Sequence, residues 1–108
     1  MKEFLNNLFN LFPAFKNRLG WDIEEFPYCF FGEFALFIND NKVSIDMQSV
    51  NYIINLFLTS SFQPGDKENI IIVGFLEVLH DDIDTYNKLK ENSNNELKEI
   101  FNKYLNKW

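Results

Sequence analysis

The chain is short of the residues that do chemistry. Its 108 residues include one histidine, one cysteine, four glycines and three prolines. A single cysteine cannot close an internal disulfide, and the apolar run Tyr28-Cys29-Phe30-Phe31 predicts that Cys29 is a small buried hydrophobe. An unpaired thiol belongs in a reducing compartment, so the expected location is the cytoplasm. Gly20, Gly32, Gly65 and Gly74 are scattered and form neither a GxGxxG nor a Walker pattern, so no phosphate cradle is read. Ser60-Ser61 and Ser93 have no histidine nearby in sequence, which leaves no nucleophile–base pair to propose. No apolar stretch reaches the roughly 18–20 residues that a transmembrane helix needs. The start, Met1-Lys2-Glu3-Phe4, does not read as a signal peptide. Basic residues are also in deficit, with 10 Lys+Arg against 16 Asp+Glu. That balance lacks the basic stripe used to grip nucleic-acid phosphates. No enzymatic activity, cofactor or resident metal is expected, and neither nucleic acid nor membrane is expected as a partner.

What the chain has is aromatic and acidic. Thirteen Phe, two Trp and four Tyr supply a core, and a hydrophobic content of 46% excludes disorder. The length predicts one domain over residues 1–108. The charge is uneven: residues 1–84 carry 13 acids and five bases, whereas residues 85–108 carry three acids and five bases. An acidic body favours a basic protein as partner.

Helical periodicity runs through most of the sequence. Phe4, Leu5, Leu8, Phe9, Leu11, Phe12 and Phe15 predict helices at about 2–11 and 13–19, with Pro13 opening the second and Gly20 as its C-cap. Trp21 to Glu25 reads as a connector. A second Phe-Pro pair, Phe26-Pro27, opens a helix at about 27–39. The alternative there is a β-hairpin around residues 34–45, turning at Asn39-Asp40-Asn41-Lys42. Asp46 is placed to cap a helix over about 47–60, and Asp66 one over about 66–80. Gln63-Pro64-Gly65 reads as the loop between them. Gly74 inside the second predicts a close helix–helix contact. A short helix begins near Asp84. The last, about 95–107, carries a Glu99–Lys103 pair and a stripe completed by Trp108, which predicts a docked chain end. The expected fold is all-α, a compact bundle of five to seven helices with 27–39 and 66–80 at its centre; the hairpin would make it α+β.

His80 stands among acids. On a continuing helix Glu77, His80, Asp81 and Asp84 would share a face, and imidazole with carboxylates can bind a divalent ion. One histidine without a cysteine partner falls short of the usual zinc sets, so the favoured reading is a solvated helix end. Glu24-Glu25, Glu33 and Asp81-Asp82-Asp84 show no spacing that marks a catalytic carboxylate pair.

Two segments carry a resemblance. Glu25-Phe26-Pro27-Tyr28-Cys29-Phe30-Phe31-Gly32-Glu33-Phe34-Ala35 and Asn69-Ile70-Ile71-Ile72-Val73-Gly74-Phe75-Leu76-Glu77-Val78-Leu79 resemble the best-marked segments of small bacterial immunity proteins of polymorphic toxin and contact-dependent inhibition systems. A composition rich in Asn, Ile, Phe and Lys also fits an AT-rich bacterial genome. The resemblance implies a helical, non-enzymatic cytoplasmic protein that binds a cognate toxin domain, expected to be a basic nuclease, and covers its active site. The expected partner surface is Glu24, Glu25, Glu33, Glu77, Asp81, Asp82 and Asp84. The alternative function is a non-catalytic regulatory protein–protein interaction module, with a homodimer as one form of it.

Overall fold

Proline and aspartate decide where the helices start. The computed structural model describes residues 2–61 and 65–107, with side chains as far as Leu105 at the C-terminal end. Pro13 and Pro27 each occupy the first turn of a helix. The proline ring pushes the residue before it out of the α region. Phe12 (φ −131°, ψ 68°) and Phe26 (φ −132°, ψ 63°) accordingly adopt the same backbone. Asp46, Asp66 and Asp82 cap three further helices, their carboxylates accepting from the N–H groups of Gln48, Asn69 and Thr85.

Seven helices result among the described residues: α1 (Lys2–Leu11), α2 (Pro13–Arg18), α3 (Pro27–Asp40), α4 (Met47–Thr59), α5, α6 (Ile83–Glu91) and α7 (Asn95–Lys107). Helix α5 is continuous but not uniform. It begins as α-helix at Lys67–Asn69, widens to π-helix over Ile70–Leu76 and tightens again at Glu77–Leu79. The fold is all-α, and no strand occurs among the described residues. The hairpin alternative is overturned, because α3 runs unbroken to Asp40 and the chain then turns over residues 41–44. Among the described residues no helix is long and apolar enough to cross a membrane.

Helices α3 and α5, the two segments expected at the centre of the fold, form the most extensive interface among the described residues. Gly74 is the reason that they come so close. A Cβ on it would lie 3.0 Å from the carbonyl oxygen of Tyr28 and 3.1 Å from its Cα. Phenylalanines fill the space around this crossing. Phe31 meets Phe57 with ring centroids 4.6 Å apart, and Phe15 meets Phe34 at 5.1 Å. Each fully buried Phe contributes about 1.5–3 kcal/mol before chain entropy is subtracted. The buried side chains form one continuous cluster that draws on every helix.

Two cations fasten the outside. Arg18 at the end of α2 bonds Asp40 at 2.7 Å and Glu33 at 3.2 Å, tying α2 along the outer face of α3. The ammonium of the buried Lys67 donates to the carbonyl and hydroxyl oxygens of Ser60, closing the end of α4. Burial pushes the Lys67 ammonium below its usual pKa.

Several local expectations change. Cys29 is exposed, not buried. It falls on the outer stripe of α3 with Glu33, Leu36 and Asp40, at i, i+4, i+7 and i+11, while Phe30, Phe31 and Phe34 take the core. Gly20 is no left-handed cap: α2 ends at Arg18, and Leu19 is already extended at ψ 124°. Lys103 bonds Glu68 at 2.7 Å instead of pairing with Glu99 one turn away. The last turn before α6 comes earlier than expected, with Asp82 as its cap. Gln63, Pro64 and Trp108 lie outside the described residues; Gly65, at φ +116°, takes a backbone that favours glycine.

Candidate functional site

The seven acids expected to meet a partner do not form one surface. Tyr28 near the start of α3 touches Asn69 and Gly74 of α5, and Asn39 near its end touches Val78. The two helices therefore run side by side in the same direction. Glu24 and Glu25 stand at their N-terminal end, whereas Glu77, Asp81, Asp82 and Asp84 stand at the C-terminal end of α5. Glu33 lies between, on the outer face of α3.

Glu33, Asp82 and Asp84 are already engaged by cations. Glu33 accepts from Arg18 at 3.2 Å. Asp82 accepts from Lys42 at 2.9 Å while also capping α6, and Asp84 lies 3.8 Å from the same ammonium. The hydrogen bond from Lys42 holds the Asp82 carboxyl below its usual pKa of 3.8; desolvation opposes this, and the Thr85 N–H adds to it. Donating to Asp82 in turn raises the pKa of the Lys42 ammonium.

His80 does not continue a helix. It follows Leu79, the last residue of α5, and the chain turns through Asp81 before α6 begins. The face expected for Glu77, His80, Asp81 and Asp84 on a continuing helix is therefore interrupted before Asp84. No group of three or more His, Cys, Asp or Glu side chains among the described residues is placed to hold a metal ion. The His80 ring packs instead against Tyr86 at 4.7 Å and Tyr104 at 5.9 Å. Together with Glu77 and Leu105, His80 and Tyr104 line a groove of about 460 Å³. Tyr86 is buried, and its hydroxyl has no hydrogen-bond partner among the described residues. Burial, aided by Tyr104, pushes that hydroxyl up to a pKa of about 12.

The N-terminal end of the α3–α5 pair differs. The connector before α3 is pinned by Ile23, which is 2% exposed, and by two hydrogen bonds to Asp22. The Asp22 carbonyl accepts from the Phe26 N–H at 2.8 Å, and its carboxylate accepts from the Glu24 N–H at 2.7 Å. Around this fixed turn, Trp21, Phe26 and Tyr28 are 44%, 47% and 39% exposed. The Trp21 and Phe26 rings meet edge to face at 5.4 Å. Glu24 and Glu25 are exposed beside them and make no ion pair with any described residue.

These exposed rings are what sequence reasoning missed, because it assigned the aromatics to the core. The available signal was position: Trp21 and Phe26 fall in the connector, outside every helical stripe.

A family model described as a domain of unknown function, DUF7674, matches residues 5–108. The chain belongs to this family. The match takes in all of the helical unit but the first three residues of α1, and includes both acidic ends. No curated protein and no solved structure matches the chain.

Proposed function

We propose that this protein is an immunity protein: a cytoplasmic, non-catalytic binder that neutralises a cognate toxin domain, of basic character such as a nuclease, by covering its active site. The observation that carries the reading is the fixed turn at residues 21–28, where exposed aromatic rings stand beside carboxylates that have no internal counter-charge. Aromatic side chains are enriched among residues that dominate binding energy, and complementary charge speeds encounter and selects partners. A net charge of −6 suits a basic target. The resemblance of the segments around Phe34 and Gly74 to immunity proteins supports the same role.

Co-expression with the product of the adjacent open reading frame tests it. Restored growth together with co-purification of the two proteins is the expected result. A neighbour that is non-toxic, or a toxic one that neither binds nor is neutralised, rejects the immunity role.

A further inference from the structure

We infer that a basic segment of the partner docks on residues 21–28, with the Trp21 and Phe26 rings as its anchors and the Glu24 and Glu25 carboxylates as its counter-charges. The inference rests on the reading above only in taking the partner to be a basic protein.

The surface is built to bind without rearranging. Ile23 is buried in the core, Asp22 closes the turn, and the Tyr28 hydroxyl accepts from Asn69 at 2.6 Å. Binding therefore spends little on ordering the backbone that carries these side chains. Trp and Phe faces attract Arg and Lys within about 6 Å, and the neighbouring carboxylates supply the charge that such a segment needs.

Sign argues against a second copy of the chain as the natural occupant. At the exposures given, the three rings present roughly 200–300 Å². A stable interface buries about 800 Å² on each partner, so this patch is the anchor of a larger contact. Two copies would bring Glu24 and Glu25 against their own likeness.

The other surfaces fit less well. At the far end, Lys42 pairs with Asp82 at 2.9 Å and lies 3.8 Å from Asp84, offsetting one of their two charges. The groove between α1 and α4, lined by Asn7, Asn10, Leu11, Gln48, Ser49 and Tyr52, carries no charge to select a partner.

The experiment is a titration of the isotopically labelled full-length chain with a nona-arginine peptide, followed by amide shifts. The largest shifts are expected at residues 21–29. Trp21→Ala is expected to weaken the peptide about threefold or more, while Trp21→Phe keeps most of the affinity. The double variant Glu24→Gln/Glu25→Gln is expected to weaken it further at low salt. Asp81→Asn/Asp84→Asn is expected to leave it unchanged. Unaltered thermal midpoints confirm that the exposed-site variants stay folded. Shifts centred on Asp81–Asp84, undetectable binding, or full affinity in Trp21→Ala would overturn the inference. The toxin test reads independently: a chain that fails to protect cells but still maps the peptide to 21–29 loses the immunity role and keeps this surface.

Discussion

Phe12 and Phe26 each precede a proline that opens a helix, and each adopts the same backbone conformation, near φ −131° with ψ 68° and 63°. Their rings have opposite fates. Phe12 is 6% exposed and packs edge to face on Phe34 at 5.5 Å and Phe37 at 6.4 Å. Phe26 is 47% exposed, and the described aromatic ring within stacking range of it is that of Trp21. Proline acts on its immediate neighbour, so it sets the same dihedrals twice. Burial depends on what lies across the fold. One Phe-Pro pair therefore holds α2 to the core, and the other presents a ring to solvent.

Truncating the two rings is the strongest way to break this comparison. Phe12→Ala is expected to cost about 3–5 kcal/mol, as core aromatic truncations do. Phe26→Ala is expected to cost about 1 kcal/mol or less. Urea unfolding midpoints measure both, and equal losses would contradict the difference in burial.

The next effect concerns the mounting of the second pair. Gly74 holds α5 against the backbone of Tyr28, two residues beyond Phe26. Gly74→Ala forces a Cβ into that contact, at an overpacking cost of about 1–3 kcal/mol. Better helix propensity returns up to about 1 kcal/mol, leaving a net loss. Gly32→Ala sharpens the point, because its Cβ would sit at ordinary distances of 3.4 Å from the Gly74 carbonyl and 3.7 Å from Val78. Thermal unfolding is expected to show Gly74→Ala melting lower and Gly32→Ala unchanged or higher.

The smallest effects separate the two acidic ends. Asp82→Ala removes both the α6 cap and the Lys42 pair, so its melting point is expected to fall. Glu24→Gln and Glu25→Gln remove no internal partner, so theirs is expected to hold. The pH dependence has a definite sign. A carboxyl whose folded pKa is depressed stabilises the fold above its unfolded value and loses that contribution as pH falls through the folded value. For Asp82 the loss begins near 3.8 and continues below it. Acid unfolding of Asp82→Ala is expected to show a shallower slope in that window, and identical slopes would sever Asp82 from the stability of this end.

The helices were legible in the sequence because their causes are local. Apolar spacing, Pro13, Pro27 and the aspartate caps act over three or four residues, and the helix boundaries follow them closely. Gly74 announced its close contact because a glycine within an apolar helix has few other uses. The π-helical stretch at Ile70–Leu76 was not legible; its isoleucine run reads as strand or helix, and nothing in it marks the wider turn. The acids were legible as acids but not as a site. Glu33 and Asp82 look as available in sequence as Glu24, yet Arg18 and Lys42 reach them from 15 and 40 residues away.

The unbroken run of α3 to Asp40 settled that the fold is all-α. The sequence by itself determined where most of the helices begin and that the net charge is negative. Those properties come from backbone propensity, capping and composition, each decided within a few residues. Only the tertiary structure decided which Phe-Pro ring is buried, which cations meet which carboxylates, and why Cys29 faces outward. Those outcomes depend on side chains brought together across the fold. It is the same long-range packing that leaves Trp21, Phe26, Glu24 and Glu25 unclaimed at one end of the α3–α5 pair.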